Sequence, residues 1–353
     1  MNNWKKVKLS DIIEFNPRET LSKGAIAKKI AMEKLEPFTR DIPEFEYLEF
    51  RGGTKFRNGD TLMARITPSL ENGKTSKVNL LDEDEVGFGS TEFIVVRAKE
   101  NISDENFVYY LMIAPSIREV AIKSMVGTSG RQRVQLDVVK NHEILCPPLK
   151  EQIRIGKILK ALDDKIENNK KINHHLEQIG TTIWQEKFND KIPNGTLGDI
   201  AIISSGKRPP VKTTVPTDEK KIPILGASSV MGYTNQALYH QKILVTGRVG
   251  THGIIQRYQR SCWPSDNTLV LQSNSYEFVY QILKNIDFTV MNRGSTQPLI
   301  TQTDLKKSNI YIPTTNELSD FEIIVGAHMK QYEQNNIEND ILSTLRDTLL
   351  PKL

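Results

Sequence analysis

The sequence predicts an α+β protein: two tandem mixed α/β domains separated by two long antiparallel coiled-coil helices, with the halves related by an approximate two-fold axis. Two observations carry this expectation. Segments of the first half recur in the same order in the second. Each half ends in a helical stretch that keeps one heptad register. The expected boundaries are 1–148 and 189–315 for the domains, and 149–188 and 316–353 for the helices.

Four matches define the repeat. Leu9-Ser10-Asp11-Ile12 recurs as Leu197-Gly198-Asp199-Ile200, offset 188. Leu62-Met63-Ala64-Arg65 recurs as Val245-Thr246-Gly247-Arg248, offset 183. Phe107-Val108-Tyr109 recurs as Phe278-Val279-Tyr280, offset 171. Lys140, Ile144 and Pro147 fall on Lys306, Ile310 and Pro313, offset 166. The steady fall in offset is the pattern of one ancestral unit whose second copy has shorter loops.

Within each unit, 59–66, 92–98, 242–247 and 268–272 are short apolar or β-branched runs bounded by turn residues, and they predict strands. Ser103-Asp104-Glu105 opens an apolar-periodic stretch to about Lys123, with Ser103 as the expected N-cap and Pro115 as a break. Asn274-Ser275 opens the matching helix of the second copy.

In the first long helix, Ile155, Leu159, Leu162, Ile166, Asn169, Asn173, Leu176, Gly180 and Ile183 follow alternating steps of four and three. Adding 166 gives Phe321, Val325, His328, Tyr332, Asn335, Asn339, Leu342, Arg346 and Leu349, the same seam without a slip. Asparagine at a seam position costs stability and fixes register. The four asparagines therefore predict an antiparallel pairing, Asn169 near Asn339 and Asn173 near Asn335. The seam from 155 to 183 measures about 43 Å at 1.5 Å per residue. That is roughly 12–13 base pairs of B-DNA, so the helices would act as a ruler between two readers.

Composition narrows the class. Charged residues make up 25% and the hydrophobic set 38%, a soluble globular balance. No apolar run reaches the roughly 18–20 residues that span a bilayer, and the start lacks a signal-type stretch. The expectation is cytoplasmic. Cys146 and Cys262 are too few for a thiolate zinc site and fit a reducing compartment. Residues 189–315 carry 14 basic and 8 acidic groups, a modest hint of a polyanion partner.

The stretch from Pro147 to Phe188 resembles the central region of the specificity (S) subunit of type I restriction–modification enzymes. The resemblance rests on Gly127-Thr128, Ile144, Pro147-Pro148-Leu149-Lys150-Glu151-Gln152 and Leu162-Asp163-Asp164-Lys165-Ile166. The order of unit, helix, unit, helix covers essentially the whole chain. The resemblance implies two target-recognition domains, each reading half of an asymmetric double-stranded DNA site. It implies helices that dock two methyltransferase (modification) subunits, and a restriction/translocase subunit that joins them. It places S-adenosylmethionine, ATP and Mg only on those partners, leaves this chain without cofactor or metal, and makes it non-catalytic. The second copy departs from the pattern with Pro313-Thr314-Thr315-Asn316-Glu317, and the chain stops at Leu353 without the short tail of many members.

The residues agree with a non-catalytic chain. Asn72-Gly73-Lys74-Thr75 resembles the end of a P-loop, but Pro68 stands where its first glycine belongs. There is no Asn/Asp-Pro-Pro-Tyr tetrad and no Gly-x-Gly-x-x-Gly loop. His142, His174, His175, His240, His252 and His328 include no pair at zincin spacing.

DNA contacts are expected from basic or amide residues near glycine-containing loops, where backbone approaches the duplex. In the first unit these are Arg65, Lys74, Lys77, Arg131, Gln132 and Arg133. In the second they are Lys207, Arg208, Arg248, His252, Arg257, Arg293 and Gln297. Arg65 and Arg248 lead, because both follow a strand at the repeated position. The competing readings are a coiled-coil scaffold without a DNA role and an enzyme acting alone.

Overall fold

The computed structural model describes residues 3–128, 130–249, 253–291 and 299–353. Two compact units emerge: Met1–Lys171 with Asn335–Leu353, and Ile172–Gln334.

In chain order the elements are β1 (Lys5–Lys8), α1 (Leu9–Ile12), β2 (Ile13–Phe15), β3 (Ile26–Ile30), β4 (Glu46–Glu49), β5 (Thr54–Phe56), β6 (Thr61–Ala64), β7 (Thr75–Lys77), β8 (Gly87–Gly89), β9 (Phe93–Ala98), α2 (Glu105–Ile113), α3 (Pro115–Lys123), α4 (Leu136–Lys140), β10 (Glu143–Cys146) and α5 (Leu149–Phe188). There follow β11 (Gly195–Thr196), α6 (Leu197–Ile200), β12 (Ile202–Ser205), β13 (Ile222–Leu225), β14 (Val230–Thr234), β15 (Ile243–Gly247), β16 (Gln256–Tyr258), β17 (Trp263–Pro264), β18 (Thr268–Gln272), α7 (Tyr276–Asn285), α8 (Gln302–Lys306), β19 (Asn309–Ile310) and α9 (Thr315–Leu349).

The repeat is a repeat of topology. The first unit holds sheets of order β1-β10, β2-β9-β6-β7 and β4-β3-β8-β5. The second holds β11-β19, β12-β18-β15-β16 and β14-β13-β17. The central sheet of each unit is antiparallel, and its register matches: Ala64 lies opposite Phe93, as Gly247 lies opposite Thr268. The same residue types fill the two cores. Leu9 and Phe107 of the first are 0% and 1% exposed; Leu197 and Phe278 of the second are both 0% exposed.

Pro115 divides the predicted 103–123 helix in two. It occupies N1 of α3, where its missing N–H belongs to no intrahelical bond, and Ala114 forms the joint. The expected cap needs correction. Asp104, not Ser103, caps α2, accepting from Asn106 N at 3.1 Å and Phe107 N at 2.9 Å. Ser103 is buried and donates to Ile12 O instead.

The second unit caps its matching helix differently. Ser275 makes no side-chain cap on α7. Glu322 of α9 instead accepts from Glu277 N and Phe278 N at 3.2 and 2.9 Å. Glu322 is the seam-offset counterpart of Gly156, and a Cβ at Gly156 would lie 2.5 Å from Asp104 Oδ1. One carboxylate thus serves each helix start, from the short helix in one copy and from the long helix in the other. Gln152 of the Pro-Pro-Leu motif ties the same corner, donating to Pro147 O and Ile102 O and accepting from Asp104 N.

The long helices touch each other within each unit. In the first, Asn169 donates to Asn339 Oδ1 at 2.9 Å and Glu338 Oε2 at 2.7 Å, and Arg346 donates to Asp163 at 2.8 Å. In the second, Asn173 donates to Tyr332 O at 3.3 Å, and Gly180 faces Val325. Within each unit the partner number falls in α9 as it rises in α5, so the contacts are antiparallel. Both cysteines are free thiols and buried. Among the described residues no helix is long and apolar enough to cross a membrane.

Candidate nucleic-acid interface

In the first unit, the chain leaving β6 runs beside the segment that follows the Gly127 loop. Arg65 N donates to Glu92 O, and Arg65 O accepts from Val134 N at 2.8 Å. Thr67 N donates to Gln132 O, Gln132 N donates to Thr67 Oγ1, and Ile66 pairs with Arg133. This ladder collects Arg65, Gln132 and Arg133 at one edge, with Arg131 exposed in the adjoining turn. Gly127 has φ +138, and a Cβ there would sit 2.8 Å from Arg131 O, so glycine permits the turn.

The second unit repeats this station. Arg248 N donates to Asn267 O at 2.8 Å, Arg248 O accepts from Ile300 N at 3.0 Å, and Val249 pairs with Leu299. Arg65 and Arg248 share a further property: the Nε of each is buried without a hydrogen-bond partner.

The remaining candidates separate. Lys74 follows the Gly73 turn (φ +78) and donates from Nζ to Met32 O at 2.9 Å, so the P-loop-like tetrad is a turn packed on Phe38. Lys207 and Arg208 are exposed beyond β12. Gly206 beside them comes so close to β17 that a Cβ would meet Ser265 O at 2.1 Å. Lys77 does not belong with these surface groups: it is buried and bonded to Glu105 and Asn106, both at 2.7 Å. Arg257 is likewise internal. Its side chain is 3% exposed, paired with Glu277 and Glu333, and stacked on Tyr276 and Tyr280. His252, Arg293 and Gln297 lie outside the described residues.

Glu92 is the residue that sequence reasoning passed over. Its carboxylate accepts from Arg133 Nε and Nη2, the latter at 2.6 Å, and lies 3.9 Å from Arg65 Nε. The Arg133 hydrogen bonds hold its carboxyl below the usual range. A lone acid before a strand carries no sequence signal; its meaning comes from the register that sets Arg65 opposite it. Among the described residues, no group of three or more His, Cys, Asp or Glu could hold a metal ion.

The duplicated α/β unit, each copy followed by a long helix, is the architecture of a DNA-specificity family. Residues 1–178 and 189–347 match the family model for the type I restriction modification DNA specificity domain, and the chain belongs to that family. It is a specificity subunit, the non-catalytic DNA-recognition component of a type I restriction–modification system. The MjaIX specificity subunit of Methanocaldococcus jannaschii is 25% identical over 305 residues, 72% of this chain and 69% of that one. The EcoAI specificity subunit of Escherichia coli is 30% identical over 159 residues, 44% of this chain and 27% of that one. In fold, the chain is similar to the crystal structure of the S subunit from M. genitalium, with TM-score 0.59 at 18% identity, covering 99% of this chain and 96% of that one.

Proposed function

We propose that residues 1–148 and 189–315 are target-recognition domains, each reading one half of a bipartite double-stranded DNA site. In this reading α5 and α9 form a coiled coil that sets the unread spacer and docks two methyltransferase subunits, which a restriction/translocase subunit joins.

The observation that carries the reading is the matched station of Arg65 and Arg248. Each arginine follows the corresponding strand and is braced by the same backbone bonds. Around them, Lys74, Arg131, Gln132 and Arg133 in one unit, and Lys207 and Arg208 in the other, complete the proposed surface. Lys77 and Arg257 are not carried into it, because their charges are neutralised inside the fold. The helices support the docking role. Ile158 and Ile179 of α5 are 45% and 40% exposed. Their seam-offset counterparts in α9, Ile324 and Leu345, are 42% and 47% exposed. Matching apolar positions off the seam suit two copies of one partner.

Arg248→Ala in the complex with its methyltransferase should lower discrimination in one half-site by about tenfold or more, the scale of one bidentate base contact, and leave the other half intact. Methylation rates on duplexes substituted one base pair at a time check this. Equal loss in both halves contradicts the modular reading. An affinity that does not fall with salt favours the scaffold alternative.

A further inference from the structure

The two arginine stations differ in one respect. In the first unit, Glu92 and Arg133 flank Arg65; at the matching places in the second stand Asn267 and Leu299. Arg133 is pinned by its backbone, exchanging hydrogen bonds with Val126, and its side chain is 45% exposed. Glu92 accepts from Nε and Nη2 on one side of the guanidinium. A guanidinium has five N–H donors in a rigid fork. Glu92 uses one side of that fork and leaves the terminal edge, Nη1 with the remaining Nη2 hydrogen, pointing away from the carboxylate.

We propose that Glu92 is a positioning residue that presets Arg133 for a guanine in the half-site read by the first unit. The inference rests on the DNA-recognition reading above. Two parallel donors at a fixed edge match guanine O6 and N7. A phosphate is the poorer partner here. It would bring a second negative charge beside Glu92, whereas the guanine edge presents acceptors without net charge. Glu92 is 25% exposed and kept ionised by Arg133, so its charge persists at neutral pH. In the second unit Asn267 and Leu299 stand at the places of Glu92 and Arg133, so that station carries no such carboxylate–guanidinium pair. The two units therefore present unlike donors from like stations, which is how a duplicated scaffold reads an asymmetric site.

The test uses the full chain assembled with its methyltransferase subunits and a panel of duplexes substituted one base pair at a time. Glu92→Gln removes the charge and loosens the fork. Arg133→Lys keeps the charge but has no fork. Both variants should lose about tenfold or more discrimination at one guanine of the first half-site. Discrimination in the second half-site should stay at the wild-type level, which also reports an intact fold. Unchanged discrimination in Glu92→Gln overturns the positioning role. So does a uniform rise in affinity for every duplex, which would make Glu92 only a charge that repels the backbone. A wild-type complex that shows no discrimination at all overturns the recognition reading itself.

Discussion

Replacing Arg257 by alanine is expected to open the second unit, at a cost of about 3–5 kcal/mol. The guanidinium donates to both oxygens of Glu277, one at 2.9 Å, and to Glu333 at 3.3 Å. It lies over Tyr280 with 4.7 Å to the ring centroid. Truncation strands the Glu277 carboxylate, whose side chain is 5% exposed, without its countercharge. The same change removes cation–π contacts that desolvation strengthens. Cys262 reports the outcome. It is 0% exposed, and burial pushes its thiol up to about 12, so it reacts with a thiol reagent only when the unit opens. Arg257→Ala should speed its modification by about two to three and a half orders of magnitude, the stability loss expressed as a ratio. Cys146, buried in the first unit, should keep its rate and serve as the internal reference. Unaltered protection of Cys262 would mean that the cage contributes little.

A comparable loss, about 3–5 kcal/mol, is expected for Arg346→Ala in the first unit. Asp163 is 3% exposed and accepts from Arg346 Nη1 at 2.8 Å and from Tyr110 Oη at 2.7 Å. Without Arg346 the buried carboxylate keeps the Tyr110 hydroxyl but loses the guanidinium bonded to it. The second unit shows that this place needs no charge. Its counterparts of Arg346, Asp163 and Tyr110 are Gly180, Met329 and Gln281. The combined variant Asp163→Met, Arg346→Ala, Tyr110→Phe should therefore recover most of the loss, since an apolar set replaces a buried ion pair at little net cost. Urea unfolding followed by Cys146 labelling measures both. A combined variant no better than Arg346→Ala would show that the ion pair itself holds the helix contact.

Period made the architecture legible in the sequence. The long helices announce themselves through steps of four and three that survive an offset of 166 residues. The strands that precede Arg65 and Arg248 show as apolar runs before a repeated arginine. The smaller sheets β4-β3-β8-β5 and β14-β13-β17 were not legible, because their strands are two to five residues long, too short for alternation to stand out. The site was legible only in part, for an electrostatic reason. An arginine caged by carboxylates and an arginine facing solvent are the same letter. Lys77 and Arg257 therefore read as surface cations in the sequence although both are internal. Tyr276-Glu277 with Tyr280 one turn later was the available hint of a cage for Arg257. The Ser103 cap failed more simply: Asp104, one residue on, offers a carboxylate oxygen to two backbone N–H groups, a stronger acceptor than a hydroxyl.

Mapping methylated bases in the genome of a host that carries the methyltransferase partner, with and without this chain, tests the central claim most directly. The chain is expected to add one motif, made of two unlike specified halves separated by a spacer of fixed length and free sequence. A continuous motif, or a methylation pattern that does not depend on the chain, would contradict it.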